Sequence, residues 1–138
     1  GWDLVKNPGV YKAGIPTLSG TGAEVSRTCV LTGPTKKLGM NSDFTPFDQI
    51  VLDPELTVGL PAKLTAATGM DALAHCLEAY SAPFYHPLSK GIALEGMLLV
   101  KDNLVKAVKK PKDLDARGNM LVASAMGATA MAKGSLLA

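Results

Sequence analysis

The spacing of hydrophobic and polar positions changes near Leu60, and this change predicts two parts. Before it, glycine, proline, threonine and β-branched residues are frequent and apolar runs are short, a pattern typical of strands and loops. After it, alanine, leucine, methionine and lysine dominate, and the apolar residues follow a helical pattern. The chain is therefore predicted to be α+β, with strands and loops in residues 1–60 and helices in residues 61–138.

The first part contains the pattern of a β-hairpin. A strand is predicted from Arg27 to Thr32, followed by a turn at Gly33-Pro34 and a second strand from about Lys37 to Asn41. A further short strand is expected over residues 49–52, ending at Asp53-Pro54, where the proline discourages further strand pairing.

Three helices are predicted in the second part. The first covers residues 68–80, with Thr68 as its N-cap and Asp71 as the capping partner. The second runs from about Pro87 to Val108, and its many apolar residues predict that much of it is buried. The third, from about Asp115 to Ala132, is rich in small residues, which predict close packing between helices. We find no candidate catalytic group among these small residues.

One face of the first helix carries three polar groups, two of which, a carboxylate and an imidazole, could bind a metal, while Glu78 is expected to pack or pair. Asp71, His75 and Glu78 have the spacing i, i+4 and i+7, and the apolar residues Met70, Leu73, Ala74, Cys76 and Leu77 around them predict burial. A buried charge requires a partner, and a divalent cation held by a carboxylate and an imidazole one turn apart is one possibility. The spacing equally allows Asp71 to cap the helix, with His75 paired to it or exposed to solvent.

A glycine-rich loop, Ser19-Gly20-Thr21-Gly22, is the second candidate site. Its glycines allow close approach to the backbone, and its hydroxyl and N–H groups can donate to a phosphate or to the amide of a nicotinamide. The alternative is a plain turn, since the same residue types dominate turns. The loop is neither a G-x-G-x-x-G dinucleotide fingerprint nor a P-loop.

Composition limits the classes of partner. Hydrophobic residues make up 47% of the 138 residues, enough for a core, and the net charge of +2 is too small to favour nucleic acid or an anionic membrane. Cys29 and Cys76 do not form a C-x-x-C pair and are expected to be free thiols. No leader and no apolar run of membrane-spanning length is visible, so we expect a cytoplasmic protein.

Leu60-Pro61 and the run Ala-Ala-Thr-Gly-Met-Asp-Ala-Leu-Ala-His-Cys-Leu-Glu-Ala-Tyr of residues 66–80 resemble the iron-containing (group III) alcohol dehydrogenases. The resemblance implies a dehydroquinate synthase-like architecture. Residues 1–60 would end an α/β nucleotide-binding domain, and residues 61–138 would begin an all-α metal-binding domain. It also implies that Asp71 and His75 are two of four metal ligands, for Fe²⁺ or, with the same ligand types, Zn²⁺.

The run Pro-Thr-Leu-Ser-Gly-Thr-Gly-Ala-Glu-Val of residues 16–25 is similar to the family's NAD(P)-contacting segment P-T-T-x-G-T-G-x-E-V. Leu18 replaces the second threonine, which removes a hydroxyl but leaves the backbone N–H. Lys37 would bring a positive charge towards ribose or phosphate, unless it is only an exposed hairpin lysine. The residues that the resemblance assigns to NAD or NADP are Thr17, Leu18, Ser19, Gly20, Thr21, Thr28 and Lys37.

The resemblance covers the middle portion of such an enzyme, and the two further histidine ligands and the pyrophosphate loop are not found in the sequence. It implies a metal-dependent oxidoreductase that interconverts an alcohol and an aldehyde or ketone by hydride transfer, and it allows a homodimer or higher oligomer. No general base is identified, and His86 is expected to be a loop histidine. The alternative is a non-catalytic fragment or degenerate relative with incomplete metal and cofactor sites.

Overall fold

The computed structural model describes residues 5–134, in which three long helices pack beside a short β-rich segment. The helices are α1 (Ala62–Ser81), α2 (Pro87–Lys109) and α3 (Leu114–Gly134). The strands are β1 (Ala13–Gly14), β2 (Thr28–Thr32), β3 (Lys37–Asn41) and β4 (Gln49–Ile50). The predicted α+β class is confirmed.

The predicted hairpin is also confirmed. β2 and β3 pair antiparallel, with Thr28 opposite Asn41 and Thr32 opposite Lys37, and the Gly33 N–H donates to the Lys36 carbonyl across the turn. β1 and β4 form a separate parallel pair. β4 ends at Ile50, so the strand predicted over residues 49–52 is shorter than expected. After it, the Asp53 side chain accepts a hydrogen bond from the Glu55 N–H and caps a short 3₁₀ helix, Pro54–Thr57.

The predicted start of the first helix was wrong. α1 begins at Ala62, directly after Pro61, and its first turn includes a hydrogen bond from the Thr65 N–H to the Pro61 carbonyl. Thr68 therefore lies inside the helix, where its hydroxyl donates to the Leu64 carbonyl at 3.0 Å. This bond to the preceding turn lets a threonine remain in a helix interior instead of capping its end.

Small residues form much of the contact between the helices. The buried stripe of α2 contains Ser89, Ala93, Gly96, Val100, Asn103 and Ala107, at helical spacing. The predicted burial was wrong for several larger side chains of this helix, because Leu88, Leu94, Leu98 and Val105 are exposed. The small residues of α3 make the close contact that its composition predicted, because a Cβ added at Gly127 would lie only 3.2 Å from the Ala72 carbonyl oxygen of α1.

The Cys76 side chain fills the space between α2 and α3. It has no exposed surface, and methyl groups added at Gly96 or Gly127 would lie 2.6 or 3.1 Å from its sulfur. Burial raises the pKa of the Cys76 thiol to about 11. The sequence expectation that both cysteines are free is confirmed, but only Cys29 has appreciable exposure.

The two thiols are expected to react at very different rates with a thiol reagent such as DTNB. At about pH 8, only about one Cys76 side chain in a thousand would be a thiolate, the reactive form, and it is also shielded from the reagent. One thiol of this chain should therefore react in the folded protein and the second only after unfolding. The C29S variant should lose the fast reaction; a fast reaction that persists in C29S would contradict the burial of Cys76.

Within the part of the chain that the structure describes, none of the helices has the length and hydrophobicity needed to cross a membrane.

Candidate functional site

The glycine-rich loop lies against α1 and α3. The Gly20 N–H donates to Ser124 Oγ on α3 at 2.9 Å, and this hydrogen bond is buried. On the other side, a methyl group added at Gly20 would lie 3.1 Å from the Thr68 Cβ of α1. The loop is thus a docked segment with a fixed position relative to two helices, which a plain exposed turn would lack.

Gly22 has the only positive φ among the described residues, 61°, in the left-handed region. A Cβ at this position would lie 2.5 Å from the Ser124 carbonyl oxygen and 2.6 Å from the Ala128 Cβ. Both the backbone conformation and the contact with α3 therefore require glycine. From Gly22 the chain enters a short 3₁₀ helix, Ala23–Val25.

A cleft of about 620 Å³ joins this loop to the helices and the hairpin. Thr21 of the loop, Thr28 of β2 and His75 of α1 all line it, so residues predicted from two distant motifs meet at one cavity. Its remaining wall is formed by Ala23, Ser26, Arg27, Val30, Asn41, Ala128, Met131 and Ala132. The cleft therefore combines hydroxyl groups, one imidazole and an apolar side.

The predicted metal pair lies beside the cleft. His75 Nε2 is 3.8 Å from Asp71 Oδ1, and the two side chains are 22% and 43% exposed. His75 Nδ1 is buried without a hydrogen-bond partner within residues 5–132, whose side chains are described. The predicted apolar surroundings were partly wrong, because Met70 and Leu77 are each 53% exposed and Glu78 is also exposed.

The geometry of this pair fits a shared divalent cation. Two ligand atoms bound about 2.1 Å from one ion lie about 3–3.5 Å apart, so a small rotation of either side chain closes the observed gap. The imidazole nitrogen and carboxylate oxygen also suit such an ion chemically. Among the described residues no third histidine, cysteine, aspartate or glutamate joins Asp71 and His75, so a complete site requires ligands from elsewhere.

The other residues predicted to contact the cofactor are not among those that line the cleft. Ser19 and Gly20 are buried against the helices, whereas Thr17 and Leu18 are exposed on the outer side of the loop. Lys37 is exposed at the far end of β3, about 13 Å along the strand from the cleft residue Asn41 at 3.3 Å per residue. Lys37 could therefore contact only a different part of an extended dinucleotide.

Sequence reasoning missed two residues of the site. Ser124 was assigned only to helix packing, yet it fixes the loop through Gly20; a serine among alanines in α3 was the available signal. Asn41 lines the cleft, and its Oδ1 is buried without a hydrogen-bond partner in the described part of the protein. His86 lies where expected, before α2, and caps that helix by accepting from the Ser89 N–H at 3.1 Å.

Glu24 is a buried carboxyl group in the 3₁₀ helix that follows the loop. It is 7% exposed, and its Oε1 has no hydrogen-bond partner among the described residues. Desolvation by burial raises the pKa of Glu24 above its ordinary value of 4.5, against a smaller opposing effect of a backbone hydrogen bond. The fold therefore favours the protonated form of Glu24.

Replacing Glu24 with glutamine is expected to stabilise the protein increasingly as the pH rises. Because the pKa of Glu24 is raised on folding, its stabilising contribution is complete below 4.5 and is lost as the pH passes its raised folded value. The difference in Tm between E24Q and the unaltered protein should therefore be larger at about pH 8 than at about pH 4. A difference that does not vary with pH would show that Glu24 is already charged and compensated.

Comparison with known proteins yields one consistent set of relatives. The sequence profile described as the Fe-containing alcohol dehydrogenase family, C-terminal, matches residues 65–138. A 4-hydroxybutyrate dehydrogenase of Cupriavidus necator is 48% identical over 121 residues, covering 87% of this chain and 32% of the relative.

Solved structures agree with this similarity. An alcohol dehydrogenase from Oenococcus oeni superposes with a TM-score of 0.91 at 30% identity, covering 99% of this chain and 36% of that one. A sulfoacetaldehyde reductase from Bifidobacterium kashiwanohense, solved in complex with NAD⁺, gives a TM-score of 0.82 at 36% identity, covering 86% and 32%. The chain thus spans about a third of the length of the relatives that it matches.

Proposed function

The chain belongs to the iron-containing alcohol dehydrogenase family, and from that premise we propose that the whole protein interconverts a small alcohol and its carbonyl compound with a nicotinamide cofactor. The observation that carries the proposal is the single cleft lined by Thr21, Thr28 and His75. It brings hydroxyl groups of the cofactor motif and an imidazole of the metal motif to one cavity.

In this proposal, Asp71 and His75 hold one divalent cation. The cation is Fe²⁺, the metal for which the family is named, or Zn²⁺, which takes the same ligand types. When bound, the cation supplies a Lewis acid for the alcohol oxygen, and the nicotinamide supplies the hydride acceptor. The protein's own residues orient these groups. Since both metal ligands lie on α1, one turn apart, the rigid helix fixes their relative position.

The cofactor loop is proposed to hold the nicotinamide end of NAD or NADP. Thr21 and Thr28 line the cleft and offer hydroxyl groups to it. Thr17, Leu18, Ser19 and Gly20 directly precede Thr21 in the chain and are proposed to contact the cofactor as well. Lys37, at the far end of the hairpin, is proposed to contact a more distant ribose or phosphate. The NAD⁺ complex of the sulfoacetaldehyde reductase supports a nicotinamide cofactor for this fold.

The same proposal assigns the two parts of the chain to different domains. Residues 1–60 are proposed to complete the nucleotide-binding domain, and residues 61–138 to begin the helical metal-binding domain. The apolar side of the cleft, formed by Val30, Ala128, Met131 and Ala132, favours a substrate whose carbon chain is apolar next to the reacting carbon.

The experiment uses the full-length protein that contains this sequence, stripped of metal and reconstituted with Fe²⁺ or Zn²⁺. Reduction of NAD⁺ and NADP⁺ is followed at the absorbance of the reduced nicotinamide, with a series of primary alcohols and hydroxy acids. Metal-dependent reduction with at least one alcohol is expected. A protein that binds neither metal nor nucleotide would instead support the alternative of a degenerate relative.

A further inference from the structure

Arg117, in the first turns of α3, is a buried cation that the proposed chemistry does not use. It is 2% exposed, and its Nε donates to the Pro111 carbonyl at 3.0 Å. Its Nη1 donates to Thr65 Oγ1 on α1, also at 3.0 Å. The guanidinium thus joins the turn between α2 and α3 to the first turn of α1.

These two bonds leave the guanidinium incompletely satisfied. Over the described residues Arg117 has no carboxylate partner, and its Nη2 is buried without a hydrogen-bond acceptor. Burial also lowers the pKa of Arg117. Burying a cation and leaving its donors unpaired is costly, so an acceptor for Nη2 is required.

A small cavity beside Arg117 has room for such an acceptor. Its volume is about 10 Å³, which is about the minimum for one water molecule and too small for a phosphate or carboxylate group. It is lined by Ser19, Leu60, Thr65, Thr68, Ala107, Arg117 and Met120. The cavity therefore lies where α1 and α3 meet the cofactor loop.

The polar lining matches the bonding capacity of one water molecule. Nη2 of Arg117 is a donor without an acceptor among the described residues, and the Ser19 hydroxyl, which can both donate and accept, belongs to a residue that lines the same cavity. Thr68 Oγ1 donates to Leu64 and retains lone pairs that can accept. Buried waters typically form about three hydrogen bonds to groups of this kind.

We propose that one buried water bridges Arg117 Nη2 to the Ser19 hydroxyl, and that Arg117 is in this way a positioning residue for the cofactor loop. The proposal rests on the proposed function of that loop. Ser19 would be held from the side of Arg117, while the next residue, Gly20, is held by Ser124 Oγ. Two adjacent residues of the loop are then fixed to α3 by independent hydrogen bonds.

The test is a double-mutant cycle in the full-length, metal-loaded protein, with the variants S19A, R117M and S19A/R117M. The Kd for the nicotinamide nucleotide is expected to rise about five- to tenfold in each single variant, the effect of one lost hydrogen bond. Because both changes break the same bridge, the double variant should bind little more weakly than either single variant. If the increases in Kd of the two single variants multiply in the double variant, the proposal is overturned.

A matched control separates positioning from general stability. Asn119, two residues along α3 from Arg117, donates to Asn103 Oδ1 of α2 at 3.2 Å, away from the loop. N119A should lower Tm and leave the nucleotide Kd unchanged. If R117M fails to fold, R117K keeps the charge but offers one nitrogen where Arg117 uses three, for Pro111, Thr65 and the proposed water, and should still raise the Kd. If R117K leaves the Kd unaltered and its effect is not coupled to that of S19A, the bridge is refuted.

A crystal structure of the full-length protein at high resolution tests the water directly. Density for one water within hydrogen-bond distance of both Arg117 Nη2 and Ser19 Oγ is expected; an empty cavity, or an anion in it, would contradict the proposal. If the unaltered protein binds no nucleotide, the proposed function fails. The Tm values of the same cycle would still show whether Ser19 and Arg117 are coupled.

Discussion

Replacing His75 with alanine is expected to abolish metal retention by the full-length protein. His75 is the only histidine in the described cleft, and its imidazole lies within reach of the same ion as Asp71. Loss of groups that merely support metal ligands lowers affinity by about 10–100-fold, so loss of a ligand should exceed that range. Metal per protein molecule, measured by mass spectrometry after gel filtration, should fall to background together with alcohol oxidation.

His86→Ala is the matched control, because these are the two histidines of the sequence. His86 caps α2 through the Ser89 N–H, so its removal should cost about 0.5–2 kcal/mol of stability, typical of an N-cap. Its metal content should not change. A metal content of H75A that stays as high as that of H86A and of the unaltered protein would eliminate His75 as a ligand, whereas loss of the metal from both variants would indicate unfolding.

Replacing Gly22 with alanine is expected to displace the cofactor loop. The left-handed backbone conformation costs about 1–2 kcal/mol for a residue with a Cβ, and overpacking against α3 about 1–3 kcal/mol more. The atoms that the methyl group would meet, the Ser124 carbonyl oxygen and the Ala128 Cβ, belong to a packed helix and have no side-chain torsion with which to move away. The loop must move instead, and the Gly20–Ser124 hydrogen bond is broken.

The measurement is the Tm together with the nucleotide Kd, and both should change strongly in G22A. Gly39→Ala on β3 is the control, since a methyl group there would meet nothing within 4 Å and its φ is not positive. G39A should leave both quantities nearly unaltered. A G22A variant that keeps its Tm and Kd would show that the loop is not held against α3 in solution.

The strands and helices themselves were largely predictable from local pattern. The hairpin followed from two β-rich runs separated by Gly33-Pro34, and α2 and α3 differ from their predicted bounds by only one or two residues. The start of α1 was wrong, because Thr68 had two local options, capping a helix or bonding to the preceding turn. Local sequence does not distinguish these two options. The structure shows the second, because the helix is continuous from Ala62 and Thr68 lies inside it.

The sequence by itself determined the family, the loop motif and the i, i+4 spacing of Asp71 and His75, because each depends on neighbouring residues or a recognisable run. Only the tertiary structure decided that Thr21, Thr28 and His75 share one cleft, and that Ser124 holds Gly20. The reason is physical: contacts between residues about 50 or 100 positions apart are set by how the helices pack. That packing depends on small buried side chains, whose pattern in the sequence indicates close approach but not which surfaces meet.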